Sequence, residues 1–205
     1  MRAFTTKIAI AALALAGTAA LAQKTTTIAS GSTRVKLSST FVDALGSLGV
    51  TPGTVSPTVL FQGTVDFPVI GGAIDLDTAT GNILHSGGLT LTAGSTVVSL
   101  QSFIIDTTGS QPEITGLVSV SGKLVGRLPL FNLALPEGFS VPIQTEHGMV
   151  QLSGVGVSLT STAATALSGV FNADVPAGLD IGTASVLAVP GRPFGWFVPW
   201  DQHRP

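Results

Sequence analysis

The sequence predicts a mainly β protein, an antiparallel β-sandwich of the Ig-like or jelly-roll-like kind with two short helices. From Val55 to Val120, short apolar or alternating runs are separated by Gly, Asp and Asn, which is typical of strands joined by tight turns. Only 10% of the 205 residues are charged while 44% are hydrophobic, which disfavours helix bundles and coiled coils. A mean hydropathy of +0.54 with a formal net charge of -2 predicts a packed core instead of disorder.

The first 22 residues have the organisation of a secretory signal peptide. Arg2 and Lys7 precede an apolar stretch over residues 8–16, and residues 20–22 have the small-residue pattern of a cleavage site. The sequence therefore predicts export after cleavage near Ala22, with a secreted, periplasmic or cell-surface product. An N-terminal helix of the folded domain is the competing interpretation.

The remainder of the chain predicts one domain over residues 35–189. Residues 23–34 are polar and lack periodicity, so they predict a flexible segment. Residues 190–205 form a predicted C-terminal tail rich in Pro and Trp. No stretch reaches the roughly 20 apolar residues that a membrane-spanning helix needs, so no transmembrane segment is predicted.

Two segments have helical patterns. Between residues 39 and 49 apolar side chains recur at helical spacing, and Thr40 with Asp43 fits a capping box. Residues 161–170 break the strand pattern with helix formers. Their apolar face is expected to comprise Ala164, Leu167 and Phe171.

The strand pattern fills most of the other positions. Residues 89–92 alternate between Leu and Thr, which predicts one buried and one exposed face. Pro129 interrupts an apolar run over 124–135, so that run is expected at a sheet edge or a bulge. Residues 51–53 predict a turn, and 181–189 a last strand.

Composition also excludes several function classes. No Lys or Arg lies between Lys36 and Lys123, so binding to DNA or RNA is disfavoured. The absence of cysteine excludes disulfides, thiolate metal sites and a cysteine nucleophile. No complete catalytic motif is present, including the G-x-S-x-G elbow of serine hydrolases, and the chain is therefore predicted not to be an enzyme.

Four side chains are candidates for binding a cofactor or a metal ion. His85 and His147 could ligate heme iron or another metal, but the simpler interpretation is that His85 is a surface or turn histidine bonded to the backbone and that His147 lies in a hairpin turn. Asp75 and Asp77 offer the oxygen ligands that calcium prefers, although they lack the full calcium-loop pattern and could instead cap turns.

Aromatic residues are concentrated near the C-terminus. This cluster could dock a partner protein, a polysaccharide or a lipid surface, or it could fold back and seal an open end of the sandwich. Its members are Phe194, Trp196, Phe197 and Trp200.

A set of short motifs resembles a known family, the secreted bacterial heme-transport-associated (HtaA-like) domain and its uncharacterised relatives. The matching segments are residues 39–41, 65–72, 74–82, 85–89, 103–106, 163–167 and 181–184. The resemblance implies an exported or surface-attached β-sandwich with a small helical element. It also implies a heme-ligating tyrosine on the first helix, at a position that Ala44 occupies here. The chain contains no tyrosine, so a phenolate ligand is excluded and heme is not the expected cofactor.

The sequence therefore predicts a secreted or cell-surface, non-enzymatic binding or structural module whose ligand it does not specify. The partner would be an extracellular protein, a polysaccharide or a small ligand. One alternative is a carrier of heme or another small ligand that uses His85 or His147 in place of tyrosine. The other is an adhesion module stiffened by calcium at Asp75 and Asp77.

Overall fold

The computed structural model describes residues 25–191, which form twelve strands and two short helices. The predicted signal peptide and the aromatic cluster of the C-terminal tail lie outside the described residues. The helices are α1 (Ser39–Ser47) and α2 (Ser161–Phe171). The strands are β1 (Thr25–Leu37), β2 (Thr51–Val55), β3 (Val59–Phe61), β4 (Thr64–Asp75), β5 (Thr80–His85), β6 (Gly88–Ala93), β7 (Thr96–Asp106), β8 (Glu113–Val120), β9 (Lys123–Ala134), β10 (Thr145–Glu146), β11 (Met149–Leu159) and β12 (Asp180–Pro190).

Eight of the strands close into an antiparallel barrel. Around the ring, β1 pairs with β4, β4 with β5, β5 with β7, and β7 with β8. The ring continues through β9, β11 and β12 and returns to β1. The prediction of a mainly β fold with two short helices is confirmed, but the sandwich is replaced by a closed sheet, which has no free edge around the ring.

The closure is confined to one end of the barrel. β5 pairs with β7 only through residues 82–84, and β9 pairs with β11 only through residues 131–134. Beyond these junctions the first half of β7 pairs with β6 instead, and β6 in turn pairs with β2. The sheet is therefore splayed at this end, where α1 contacts β2 and β12 and α2 contacts β9.

The first strand corrects the prediction that residues 23–34 are flexible. Residues 25–34 belong to β1, which lies between β4 and β12 and pairs with both. Most of its polar side chains face outward, so the segment looks like a loose tail in the sequence, while Ile28, Thr33 and Val35 are buried. Gly31 lies in the positive-φ region at φ +148°, and a Cβ there would come within 2.1 Å of the Leu187 carbonyl oxygen. Only glycine fits where β1 passes this close to β12.

Both helices begin at a hydroxyl cap one residue before the first turn. The Ser38 side chain accepts a hydrogen bond from the Phe41 backbone N–H, so the cap is Ser38 and not the predicted Thr40. Thr160 caps α2 by accepting from the Ala163 N–H, and its hydroxyl donates to the Pro129 carbonyl. This second bond ties the start of α2 to β9 at the splayed end of the barrel.

Three other elements differ from or refine the sequence predictions. Residues 51–53 form part of β2 and not a turn, because β2 pairs along its whole length with β6. Pro129 lies opposite Thr115 next to a bulge, as predicted, and just before the residues of β9 that pair with β11. β8 is a strand that the sequence analysis did not single out.

Between its two ends, the barrel is filled by aromatic side chains. The rings of Phe67 and Phe103 meet edge to face at 5.2 Å, and Phe103 lies 6.4 Å from Phe131. Gly116 makes room for this stack, because a Cβ there would lie 3.0 Å from the Phe103 ring. Aromatic packing therefore occupies the barrel axis where the ring closes.

A candidate ligand-binding cavity

The splayed end of the barrel contains a cavity of about 360 Å³. α1 and α2 cover it on one side, and β6, β7, β8 and β9 form the opposite wall. Small-molecule sites have volumes of about 300–1,000 Å³, so the cavity is large enough for a small ligand.

Small residues on the helices leave this volume unfilled. Ala44 on α1 and Ala163, Ala166 and Gly169 on α2 all line the cavity. Leu45 is the buried residue of α1, and Ala163 and Ala164 are those of α2, so α2 buries no large side chain. Protein interiors otherwise pack at crystal-like density, and a void of this size is therefore a notable departure.

The chemistry of the lining is almost entirely apolar. Among the lining residues of the described chain there is no His, Tyr, Cys, Met, Asp, Glu, Lys or Arg. The one polar side chain is Thr165, which lies on the exposed side of α2. The cavity can therefore desolvate an apolar ligand, but it has no side chain within it that could pair with a buried charge.

A second cavity lies at the closed end of the barrel. Its volume is about 170 Å³, below the usual range of small-molecule sites. Phe139 and Ile143, from the segment between β9 and β10, line it together with β4, β5, β7, β8, β9, β11 and β12 side chains. It is therefore the weaker candidate for a binding site.

His85 lies between the two cavities, inside the barrel. Its side chain is buried, with Nε2 2.7 Å from the Thr33 hydroxyl and Nδ1 3.3 Å from the Phe103 carbonyl oxygen. A carbonyl only accepts, so Nδ1 carries the proton in this arrangement and Thr33 donates to Nε2. Burial lowers the pKa of His85 to about 4, against smaller opposing effects of backbone hydrogen bonds from Phe103 and Ile83. His85 is therefore a neutral core side chain with both ring nitrogens in use.

The structure does not bring the two candidate histidines together. His147 lies in the exposed turn between β10 and β11, whereas Leu159 at the far end of β11 lines the larger cavity. The length of β11 therefore separates His147 from the larger cavity by about 30 Å. Leu89, Phe131 and Ile181 line both the larger cavity and the small void around His85, so they lie between that histidine and the cavity.

Heme does not fit the larger cavity as an iron-ligated cofactor. Protein-bound heme takes an axial ligand from His, Cys, Met or Tyr, and none of these lines the cavity among the described residues. Ala44, where the resemblance implies the ligating tyrosine, lines the cavity and contributes only a methyl group.

The candidate calcium ligands take part in a turn. Asp75 is buried and its Oδ1 accepts hydrogen bonds from the backbone N–H groups of Asp77 (2.8 Å) and Thr78 (3.2 Å). This is an Asx-type cap of the β4–β5 turn. Over residues 25–191, no group of three or more acidic or His side chains is close enough to hold a metal ion. In the same range, no helix is long and apolar enough to cross a membrane.

The fold and the cavity together define a class of protein: a closed antiparallel barrel whose splayed end is covered by two short helices around an apolar site. Known structures share this fold. The chain is similar to the C-terminal domain of HtaA from Corynebacterium glutamicum, with a TM-score of 0.62 and 17% identity over 81% of this chain and 99% of that chain. It is also similar to the N-terminal domain of the same protein, with a TM-score of 0.61 and 13% identity over 80% of this chain and 99% of that one.

A third similar structure is that of the heme-binding protein HtaB from Corynebacterium glutamicum, with a TM-score of 0.57 and 10% identity over 82% of this chain and 95% of that chain. No family model and no curated protein sequence matches the chain. At these identities the likeness establishes the fold, and it confirms at that level the resemblance to the heme-transport-associated domain.

The cavity itself was missed by the sequence analysis. The sequence signal for the cavity is the presence of Ala or Gly, in place of larger apolar residues, at four helix positions that line it. That signal has meaning only once the two helices are known to face the same stretch of sheet.

Proposed function

We propose that the chain is an exported, non-enzymatic module that binds a small apolar ligand in the cavity between α1, α2 and strands β6 to β9. The observation that carries this proposal is an apolar void of about 360 Å³ covered by two helices with small inward-facing residues. The naming of a structural neighbour as a heme-binding protein supports a small-ligand role for this fold. Residues 1–22 support export after cleavage near Ala22.

A non-enzymatic role is supported by the chemistry of the cavity. A catalytic site needs at least one group that can donate, accept or attack, and the lining side chains of the described residues are hydrocarbon apart from the Thr165 hydroxyl. Binding by desolvation needs no such group.

Titration with N-phenyl-1-naphthylamine, an uncharged dye whose fluorescence increases in apolar surroundings, tests this function. We expect saturable binding to the full mature protein. Ala166 lines the cavity from the exposed side of α2, so Ala166→Phe is expected to fold normally and to weaken dye binding by about tenfold by occupying part of the site.

Ala177→Phe provides the matched control, since Ala177 is exposed in the segment between α2 and β12 and is not among the lining residues. It should bind the dye as the unmodified protein does. Equal loss of binding in both variants, or dye binding that Ala166→Phe leaves unchanged, would place the site elsewhere.

A further inference from the structure

The chemical class of the ligand follows from what the cavity offers, and this inference rests on the proposed function. The walls provide carbon atoms from Leu, Val, Ala, Phe and Ile side chains of both helices and six strands. An apolar surface of this kind gains about 25 cal/mol for each Å² that a ligand covers, without regard to direction. It selects for hydrocarbon and for shape, and it does not select for hydrogen-bonding groups.

A charged group would be unfavourable inside the cavity. An ionised carboxylate or a metal ion without a partner loses its hydration and gains nothing in return. The buried His85 side chain is held by Thr33 and Phe103 and separated from the cavity by Leu89, Phe131 and Ile181. Its recruitment as a ligand would leave the buried Thr33 hydroxyl without its partner, which costs about 1–3 kcal/mol.

The mouth of the cavity is the one place where a polar group is accommodated. Thr165 and Ala166 line the cavity and are exposed, so a ligand group beside them stays in contact with water. The Thr165 hydroxyl can donate to or accept from such a group. An amphiphile could therefore insert its chain and keep its head at the surface.

We propose that the cavity takes the aliphatic chain of a lipid-like molecule, a single-chain amphiphile whose polar head remains at the mouth beside Thr165, and that it binds this ligand without a metal. The apolar walls favour burial of the ligand's aliphatic chain over burial of its polar head. Since none of the described residues that line the cavity is an axial ligand for heme iron, we expect the iron of a porphyrin to add nothing to affinity.

Competition against bound N-phenyl-1-naphthylamine tests the inference on the full mature protein. The competitors are monolauroylglycerol below its critical micelle concentration, hemin, and iron-free protoporphyrin IX. We expect monolauroylglycerol to displace the dye, with an apparent affinity that Ala166→Phe lowers by about tenfold and Ala177→Phe leaves unchanged. Hemin should bind no more tightly than the iron-free porphyrin, and its Soret band should keep the position that it has in buffer.

Two results would overturn the inference. Binding of hemin at least ten times tighter than that of the iron-free porphyrin, with a shifted Soret band, would show that the protein ligates iron. Saturable dye binding that monolauroylglycerol does not displace would exclude the aliphatic class while leaving the proposed function in place. If the dye itself does not bind, the proposed function fails as well, so the two failures are distinguishable.

Discussion

The middle of the barrel and its splayed end solve the same packing problem in opposite ways. In the middle, aromatic rings pack against one another and buried His85 has a partner on each ring nitrogen. At the splayed end two helices cover the sheet, four of their lining residues are alanine or glycine, and about 360 Å³ remains open. The first region is arranged for cohesion. At the splayed end, larger side chains could fill the open volume and stabilise the fold. Unfilled space of this kind is typical of a binding site.

This contrast makes a prediction about mutational cost, since changes at the closed barrel should be severe and changes at the helices mild. Gly31→Ala is expected to have the largest effect, because its Cβ would meet the Leu187 carbonyl oxygen and residue 31 would remain at an unfavourable φ. We expect a loss of at least about 3 kcal/mol in the free energy of unfolding, measured by chemical denaturation.

Gly46→Ala is the matched control for Gly31→Ala. Gly46 lies within α1, and nothing is within 4 Å of the position that its Cβ would take. Alanine should stabilise the protein by up to about 1 kcal/mol through helix propensity. If the two substitutions changed the free energy of unfolding by similar amounts, the barrel strands and the helices would not differ in their tolerance of mutation.

The burial of His85 predicts that the free energy of unfolding of the protein falls as the solution becomes acidic. Because burial lowers the pKa of His85 from 6.5 to about 4, the unfolded chain binds a proton more readily than the folded one between these values. The stabilisation is complete above pH 6.5 and is lost as the pH falls towards 4. Its size is on the order of 3 kcal/mol.

Denaturation curves collected between pH 7 and pH 4 measure this effect. His85→Gln should flatten the dependence, since glutamine does not titrate. His147→Asn, in an exposed turn at φ +51° that asparagine tolerates, should leave it as it is. A steep dependence that survives in His85→Gln would assign the acid sensitivity to other groups.

Asp75 predicts an intermediate effect at the β4–β5 turn. Asp75→Ala removes the acceptor of the Asp77 and Thr78 N–H groups and is expected to cost about 1–3 kcal/mol. The thermal midpoint of the unmodified protein should be the same in calcium and in chelator, because the carboxylate already serves the turn. A calcium-dependent midpoint that Asp75→Ala abolishes would restore the calcium alternative.

The smallest change in stability is expected at the cavity. Ala44→Leu adds apolar atoms beside the open volume and should raise the free energy of unfolding by about 1 kcal/mol, while it weakens dye binding. Chemical denaturation and dye titration on the same sample measure both effects. Destabilisation comparable to that of Gly31→Ala would mean that the volume around Ala44 is already packed.

The parts of the fold that depend on neighbours in sequence could be predicted. Both helices lie within a residue or two of their predicted bounds, and Pro129 lies at a bulge, because spacing and proline geometry act locally. Closure could not be predicted, since it depends on pairs only three or four residues long between β5 and β7 and between β9 and β11.

The burial of Thr33 in β1 and of His85 could not be predicted, for one physical reason. Thr33 is a polar residue in a polar segment, and it is buried because His85, 52 positions away, is its hydrogen-bond partner. Neither residue alone indicates an interior position. The binding cavity has the same property, because its lining comes from segments that only the closed topology brings together.

Methyl NMR during titration with monolauroylglycerol tests most directly the claim that the splayed end is the binding site. Binding at the splayed end predicts saturable shifts for Leu45, Leu91 and Val98, which line the larger cavity, and no shifts for Ile83, Val150 and Val186 at the closed end. Equal shifts at both ends, or shifts confined to exposed side chains such as Val59 and Ile70, would contradict binding in the cavity.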